Sequence, residues 1–352
     1  MSEITEEGST LRTVKSESTD AFPLQYIDKV LEVFSGPGSS QTWSQHELDF
    51  DTHVALAQAT NALELLKKLI KQKKKYTPSP LAELAISSAA TSDEFLYSWE
   101  FDIHDVGDGI GVRSILFRLI DTTCNLESVG VSSEIFNRYL ISVQENYHDN
   151  PFHNFRHAAS VTQFACLLSK SLNLAESLGK YGHFAVIFSA ILHDVNHPGN
   201  TNLFEINSSS ERALLYNDVS VLESHHCATT FRLMRQEGLN IMEGFSKETA
   251  IDVRKMIVSC ILATDMSVHF QLVDEFSRKT SASNWSTTGF PEKTLLGKIV
   301  VHAADLSNPV RPFEIAKKWS LLIAEEFNKQ VELERELGHP LLVSQLVTDF
   351  SC

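Results

Sequence analysis

The chain of 352 residues lacks any uncharged apolar run near the roughly 18 residues that span a bilayer. Its N-terminus, Met1-Ser2-Glu3-Ile4-Thr5-Glu6-Glu7, is acidic and has no apolar core of the kind a secretory signal carries. Cysteine is scarce. The five (Cys124, Cys166, Cys227, Cys260 and Cys352) are scattered, form no Cys-x-x-Cys pair and mostly sit in apolar stretches, as reduced core residues do. These absences argue against secretion, and the expected location is the cytoplasm. Positive charge is also short: 30 Lys and Arg stand against 45 Asp and Glu, a formal net charge of −15. That excludes a general nucleic-acid binder, which needs a basic face. It also excludes steering of an anionic substrate by net charge, so a phosphate substrate would need bound cations to supply local positive charge. Internal repeats and convincing runs of alternating strand residues are missing as well.

What is present falls into three parts. Residues 1–52 hold ten Asp and Glu against three Lys and Arg, interrupted by Gly36-Pro37-Gly38-Ser39-Ser40, and are expected to be a largely flexible acidic tail. Residues 53–92 are expected to form a helix and a linker. The helix ends in six lysines (Lys67, Lys68, Lys71, Lys73, Lys74 and Lys75). Such a cluster serves either peripheral contact with acidic lipid or a partner, or a solvated helix C-terminus favoured by the helix dipole, and the balance falls on the last. From about residue 93 to 352 the pattern is helical throughout, which predicts an all-α domain. Apolar periodicity predicts helices over 136–147, 158–178, 184–194, 223–237, 251–265 and 313–337. Three apolar segments, 181–194, 253–265 and 294–305, each end in an acid, at Asp194, Asp265 and Asp305. A helix apolar on most sides is central, so these acids are carried into or near the interior, where an unpaired carboxylate is costly.

Two histidine pairs share an i, i+4 spacing: His153 with His157, and His193 with His197. On a helix, residues four apart lie on one face, so each pair is expected to aim two imidazoles at one point. His157, His193, Asp194 and Asp305 offer two nitrogens and two oxygens, most of the coordination of one divalent ion. Asp194 has a second oxygen for a second ion, and two ions a few ångströms apart would clamp a phosphoryl oxygen. His153 is placed to act as a general acid on a leaving alkoxide. His197 is expected to hold water bound to the metal, and Glu223 to partner either such a water or a histidine. Of the neighbours His225 and His226, at most one is expected to face the site. His302 is expected to be a buried, hydrogen-bonded histidine, Asp265 a cap or network member, and Phe152 and Phe155 packing residues.

Tyr147–Gln163, reading YHDNPFHNFRHAASVTQ, resembles the His-Asn-x-x-His signature of class I 3′,5′-cyclic nucleotide phosphodiesterases. ILHDVNHPGNTN at 191–202 is similar to their His-Asp-x-x-His-x-Gly-x-x-Asn signature. RALLYNDVSVLESHH at 212–226, ILATDMSVHF at 261–270 and HAADLSNP at 302–309 match further blocks in order. The resemblance covers about residues 100–337. It implies a compact all-helical, HD-type catalytic domain with a zinc-plus-magnesium (or manganese) centre that hydrolyses cyclic AMP or cyclic GMP to the 5′-monophosphate in signal transduction. By motif position it implies that His157, His193, Asp194 and Asp305 hold the tight zinc and that Asp194 also reaches the second ion. It further implies that His153 protonates O3′, that His197, Glu223 and Thr264 hold metal-bound water, and that Asn308 lies near the nucleotide. The chain departs from the family pattern at its end. Gln345 and Phe350 echo the base-gripping block, but the Gln-x-Gly-Phe pattern is absent and no purine-binding role is carried onto Gln345. The expectation is a domain lacking its final helices, with exposed apolar faces that favour self-association. The competing readings are a catalytically impaired family member acting as a binding or regulatory protein, and an HD-type phosphohydrolase of another nucleotide.

Overall fold

The structure, a computed structural model, describes residues 93–107, 109–281 and 285–342. The acidic segment 1–52, the lysine-rich segment 53–92, and Gln345 and Phe350 lie outside the described residues. Within them no strand occurs, and nine helices have 13 residues or more: α1 (Gly109–Cys124), α2 (Ser133–Glu145), α3 (Phe155–Leu172), α4 (Leu174–Leu192), α5 (Val221–Met234), α6 (Lys247–Leu262), α7 (His269–Ser281), α8 (Phe290–Asp305) and α9 (Phe313–Leu337). The all-α expectation is met. No single helix among the described residues is long and apolar enough to cross a membrane.

Helix α4 is the centre of the molecule, packed against α3, α6 and α8. From His183 to Leu192 every residue is buried, which follows from a segment apolar on all sides. Gly297 marks the closest approach of α8 to its neighbours. A Cβ there would stand 2.7 Å from Val186 Cγ2 and 3.1 Å from both Met256 Sδ and Cys260 Sγ, so only glycine lets the three helices meet.

The predicted helix over 158–178 is in fact two. α3 stops at Leu172 because Asn173 adopts a left-handed conformation (φ 49°, ψ 50°), and the following helix breaks again at Gly179 (φ 72°, ψ 162°). Asparagine tolerates the left-handed region better than most residues, and apolar periodicity alone does not register it. The predicted end at Asp194 moves back to Leu192, and the predicted end at Asp265 to Leu262. In both cases the acid lies just past the helix, on a turn open to neighbouring side chains.

Candidate metal centre and active site

The two histidine pairs do not lie on continuous helices, which corrects the premise on which their convergence was expected. His153 precedes α3. Asn154 caps that helix, its Oδ1 accepting from Arg156 N (2.9 Å) and His157 N (3.2 Å). His193 is the C-cap of α4, with helical φ and ψ, and Asn196 (φ 66°) turns the chain before His197. The first pair therefore straddles a helix start and the second a helix end. The inner members, His157 and His193, still meet, because α3 and α4 pack side by side.

The meeting point is a cluster of four side chains. His157 Nε2 lies 3.1 Å from Asp305 Oδ1 and 3.4 Å from Asp194 Oδ2. His193 Nε2 lies 3.1 Å from Asp305 Oδ1, 3.0 Å from Asp194 Oδ2 and 3.3 Å from His157 Nε2. Donors held about 2.0–2.2 Å from one ion stand roughly 3.0–3.5 Å apart, so these spacings fit a single divalent cation. Tautomers agree. His193 Nδ1 donates to Ala190 O (2.8 Å), which turns the Nε2 lone pair inward. Both imidazoles are fully buried. Burial opposes a charge on His193, yet Asp194 and Asp305 raise its pKa well above the ordinary value. Burial likewise raises the two carboxyls, and the histidines more than offset it, holding both low. The cluster thus calls for positive charge at its centre, and a cation satisfies that demand.

Asp194 faces two ways. Its Oδ2 serves the four-residue cluster, and its Oδ1 lies 3.7 Å from His226 Nε2. His226 Nδ1 donates to Val195 O (2.8 Å), and burial pushes its pKa down to about 4, so a bare lone pair points at a carboxylate oxygen. Two acceptors facing each other suit a second cation or a donor between them. Of the neighbouring histidines only His226 faces inward, since His225 Nε2 bonds Asn196 Oδ1 (2.8 Å).

The outer histidines stack, with ring centroids 4.0 Å apart and planes 19° apart. His153 Nδ1 contacts Glu326 Oε1, and Glu326 Oε2 accepts from Phe152 N (2.8 Å) and His153 N (3.0 Å). Burial disfavours a charged His153, but Glu326, with Asp194 and Asp305 behind it, raises its pKa. His197 is opposite. Burial and the charge of His153 push its pKa well down. Its Nδ1 accepts from Gly199 N (3.0 Å), so Nε2 carries the proton and donates rather than ligates.

The remaining expected residues are placed as follows. Glu223, at the start of α5, accepts from Asn202 Nδ2 (3.0 Å and 3.2 Å), and burial raises its pKa to about 7. Thr264 is buried just beyond α6 and donates its hydroxyl to Ile261 O (2.8 Å). Asn308 is buried on the turn after α8, and its Oδ1 has no protein partner. Asp265 caps Ser267 N (2.8 Å) and accepts from Ser220 Oγ (2.6 Å). His302 is buried and bonded to His269 (2.7 Å). Phe152 packs between His157 and Trp319.

Sequence reasoning missed Glu326, Asn202 and Gln330. One signal was available. The buried stripe of α9 begins apolar, with Ile315 and Trp319, and continues at the same spacing as Glu326, Gln330 and Glu334. A face that keeps its period while changing polarity marks a polar group going inside.

The family model described as 3′5′-cyclic nucleotide phosphodiesterase matches residues 152–348. A probable 3′,5′-cyclic phosphodiesterase, pde-1, of Caenorhabditis elegans is 36% identical over 68% of this chain and 36% of its own length. A 3′,5′-cyclic-AMP phosphodiesterase 4C of Rattus norvegicus is 34% identical over 68% of this chain and 47% of its own. The chain spans less than half the length of these curated relatives. The crystal structure of the phosphodiesterase domain of a RhoPDE fusion protein from Salpingoeca rosetta superposes with a TM-score of 0.69 at 33% identity, covering 74% of this chain and 81% of that one. With the described helices and their convergent histidines and acids, these matches establish that the chain belongs to the 3′,5′-cyclic nucleotide phosphodiesterase family.

Proposed function

We propose that this chain hydrolyses a 3′,5′-cyclic nucleotide to the nucleoside 5′-monophosphate. The observation that carries the reading is the four-donor cluster of His157, His193, Asp194 and Asp305 with the His153–Glu326 pair beside it. His157, His193, Asp194 and Asp305 would hold a tight divalent ion, for which imidazole and carboxylate donors suit zinc, and the outward oxygen of Asp194 would serve a second, harder ion such as magnesium or manganese. When bound, the ions neutralise the charge of the phosphodiester and acidify water. Hydrolysis breaks the P–O3′ bond, adds a water oxygen to phosphorus and needs a proton on O3′. His153 supplies it: Glu326 occupies Nδ1 and favours the charged ring, leaving Nε2–H to face the leaving oxygen. His197 Nε2–H donates to a water oxygen in the site. Glu223, with its raised pKa, accepts from such a water, and the lone pairs of Thr264 do the same.

Of the relatives, one is named a cyclic-AMP phosphodiesterase and another a cyclic-GMP-specific one, so the base is a purine of either kind, with Asn308 beside it. The test is hydrolysis of both cyclic nucleotides with Zn²⁺ and Mg²⁺, together with zinc content by elemental analysis. His157→Ala should lower turnover at least about tenfold and reduce bound zinc. Equal rates and equal zinc in the two proteins would defeat the assignment.

A further inference from the structure

His153 and His197 come from two irregular loops, yet their rings stack within 4.0 Å. Something must hold the loops in register, because a proton donor displaced by about 1 Å loses much of its value. Glu326 holds the first loop at Phe152 and His153. The second is tied to the first by Asn150. Its Nδ2 donates to His153 O (2.9 Å) and to His197 O (2.8 Å), one hydrogen for each carbonyl. The orientation of the carboxamide is not ambiguous, since a flipped group would set Oδ1 against both carbonyls.

The other end of the group is also fitted. Asn150 Oδ1 lies where Gly199 passes: a Cβ on Gly199, whose φ is +86°, would stand 3.0 Å from it. The backbone of Asn150 joins the same frame. Its carbonyl accepts from Asn154 Nδ2 (2.9 Å), and Asn154 caps the helix that bears His157. One residue thus links the carbonyls of both stacked histidines to the start of α3.

We propose that Asn150 is a positioning residue for the general acid: it locks the His153 loop to the His197 loop, and Gly199 is the slot that lets it do so. The proposal rests on the reading of His153 as the proton donor.

The experiment compares leaving groups. A cyclic nucleotide expels an alkoxide, which needs a proton, whereas bis(p-nitrophenyl) phosphate expels a phenolate that does not. Asn150→Asp keeps the shape and removes both donors, and Asn150→Ala removes the group. Both should lower kcat on cyclic AMP or cyclic GMP by about tenfold or more, with KM within about twofold. Hydrolysis of bis(p-nitrophenyl) phosphate should fall by less than about threefold, and bound zinc should be unchanged. Equal loss on both substrates, or loss of zinc, would overturn the proposal. His153→Ala is run beside them. If it shows no leaving-group split, the proton-donor reading fails. If it shows the split and the Asn150 variants do not, only the positioning role fails. Should thermal melts show that the Asn150 variants do not fold, Gly199→Ala decides, since it crowds Oδ1 with Asn150 intact. The same split supports the lock, and uniform loss overturns it.

Discussion

Segments 150–157 and 193–199 have the same histidine spacing and opposite electrostatics. In each, the inner histidine sits on a helix end and turns Nε2 into the four-residue cluster, and the outer one leaves the helix and joins the stack. The outer pair differ in what faces Nδ1. A carboxylate of Glu326 faces His153, and an amide N–H of Gly199 faces His197. The first partner favours a charged ring and the second forbids a proton on that nitrogen. Two residues alike in sequence spacing therefore prefer opposite states, a charged ring at His153 and a neutral one at His197, and neither preference lies in the histidine itself.

The largest effect is expected on the inner members, which the two segments share. Asp305→Ala removes an oxygen that faces both imidazoles, and turnover should fall by about 100-fold or more with a parallel fall in bound zinc. Full activity with normal zinc would mean that the segments do not serve one centre. Next is Glu326→Gln, which should erase the asymmetry of the outer pair. His153 is now protonated to higher pH than an ordinary histidine. Without the carboxylate its pKa drops, so the proton-donating form is lost sooner as pH rises. The basic limb of the kcat profile should shift to lower pH, and kcat should fall about tenfold. An unshifted limb would refute the account of the pair. Gln330→Leu acts on the second loop, where Oε1 accepts from Thr201 N (2.8 Å). It should destabilise the fold by about 1–3 kcal/mol, read by denaturant titration. The smallest effect is expected from His225→Ala, whose ring turns away to Asn196: turnover within about threefold of the parent, checked on both cyclic nucleotides. A larger loss would place His225 in the site.

The sequence made the inner cluster readable because its members come in short motifs, and because Asp194 and Asp305 end apolar runs that must be central. The all-helical class was readable for the same reason, the absence of alternation. The helix ends were not. Asn173 ends α3 and Asn196 turns the chain just past α4, both through positive φ, which an apolar periodicity does not encode. The partners of the outer pair were hidden for a different reason. Glu326 lies far along the chain, in a stretch whose many charges look solvated, and only packing shows that this one is 2% exposed. Asn150 is one more polar residue in a loop until the two carbonyls it bridges are in place.

Three loops hang on α9. Glu326 takes the backbone at Phe152 and His153, Gln330 takes Thr201, and Glu334 takes Leu342 (3.0 Å) while accepting from Gln330 (2.7 Å). These hooks span eight residues, about 12 Å of a stiff rod. Loops moored to one mast sway together, so a force that tilts this helix shifts the backbone at His153 and at Thr201 in a single motion.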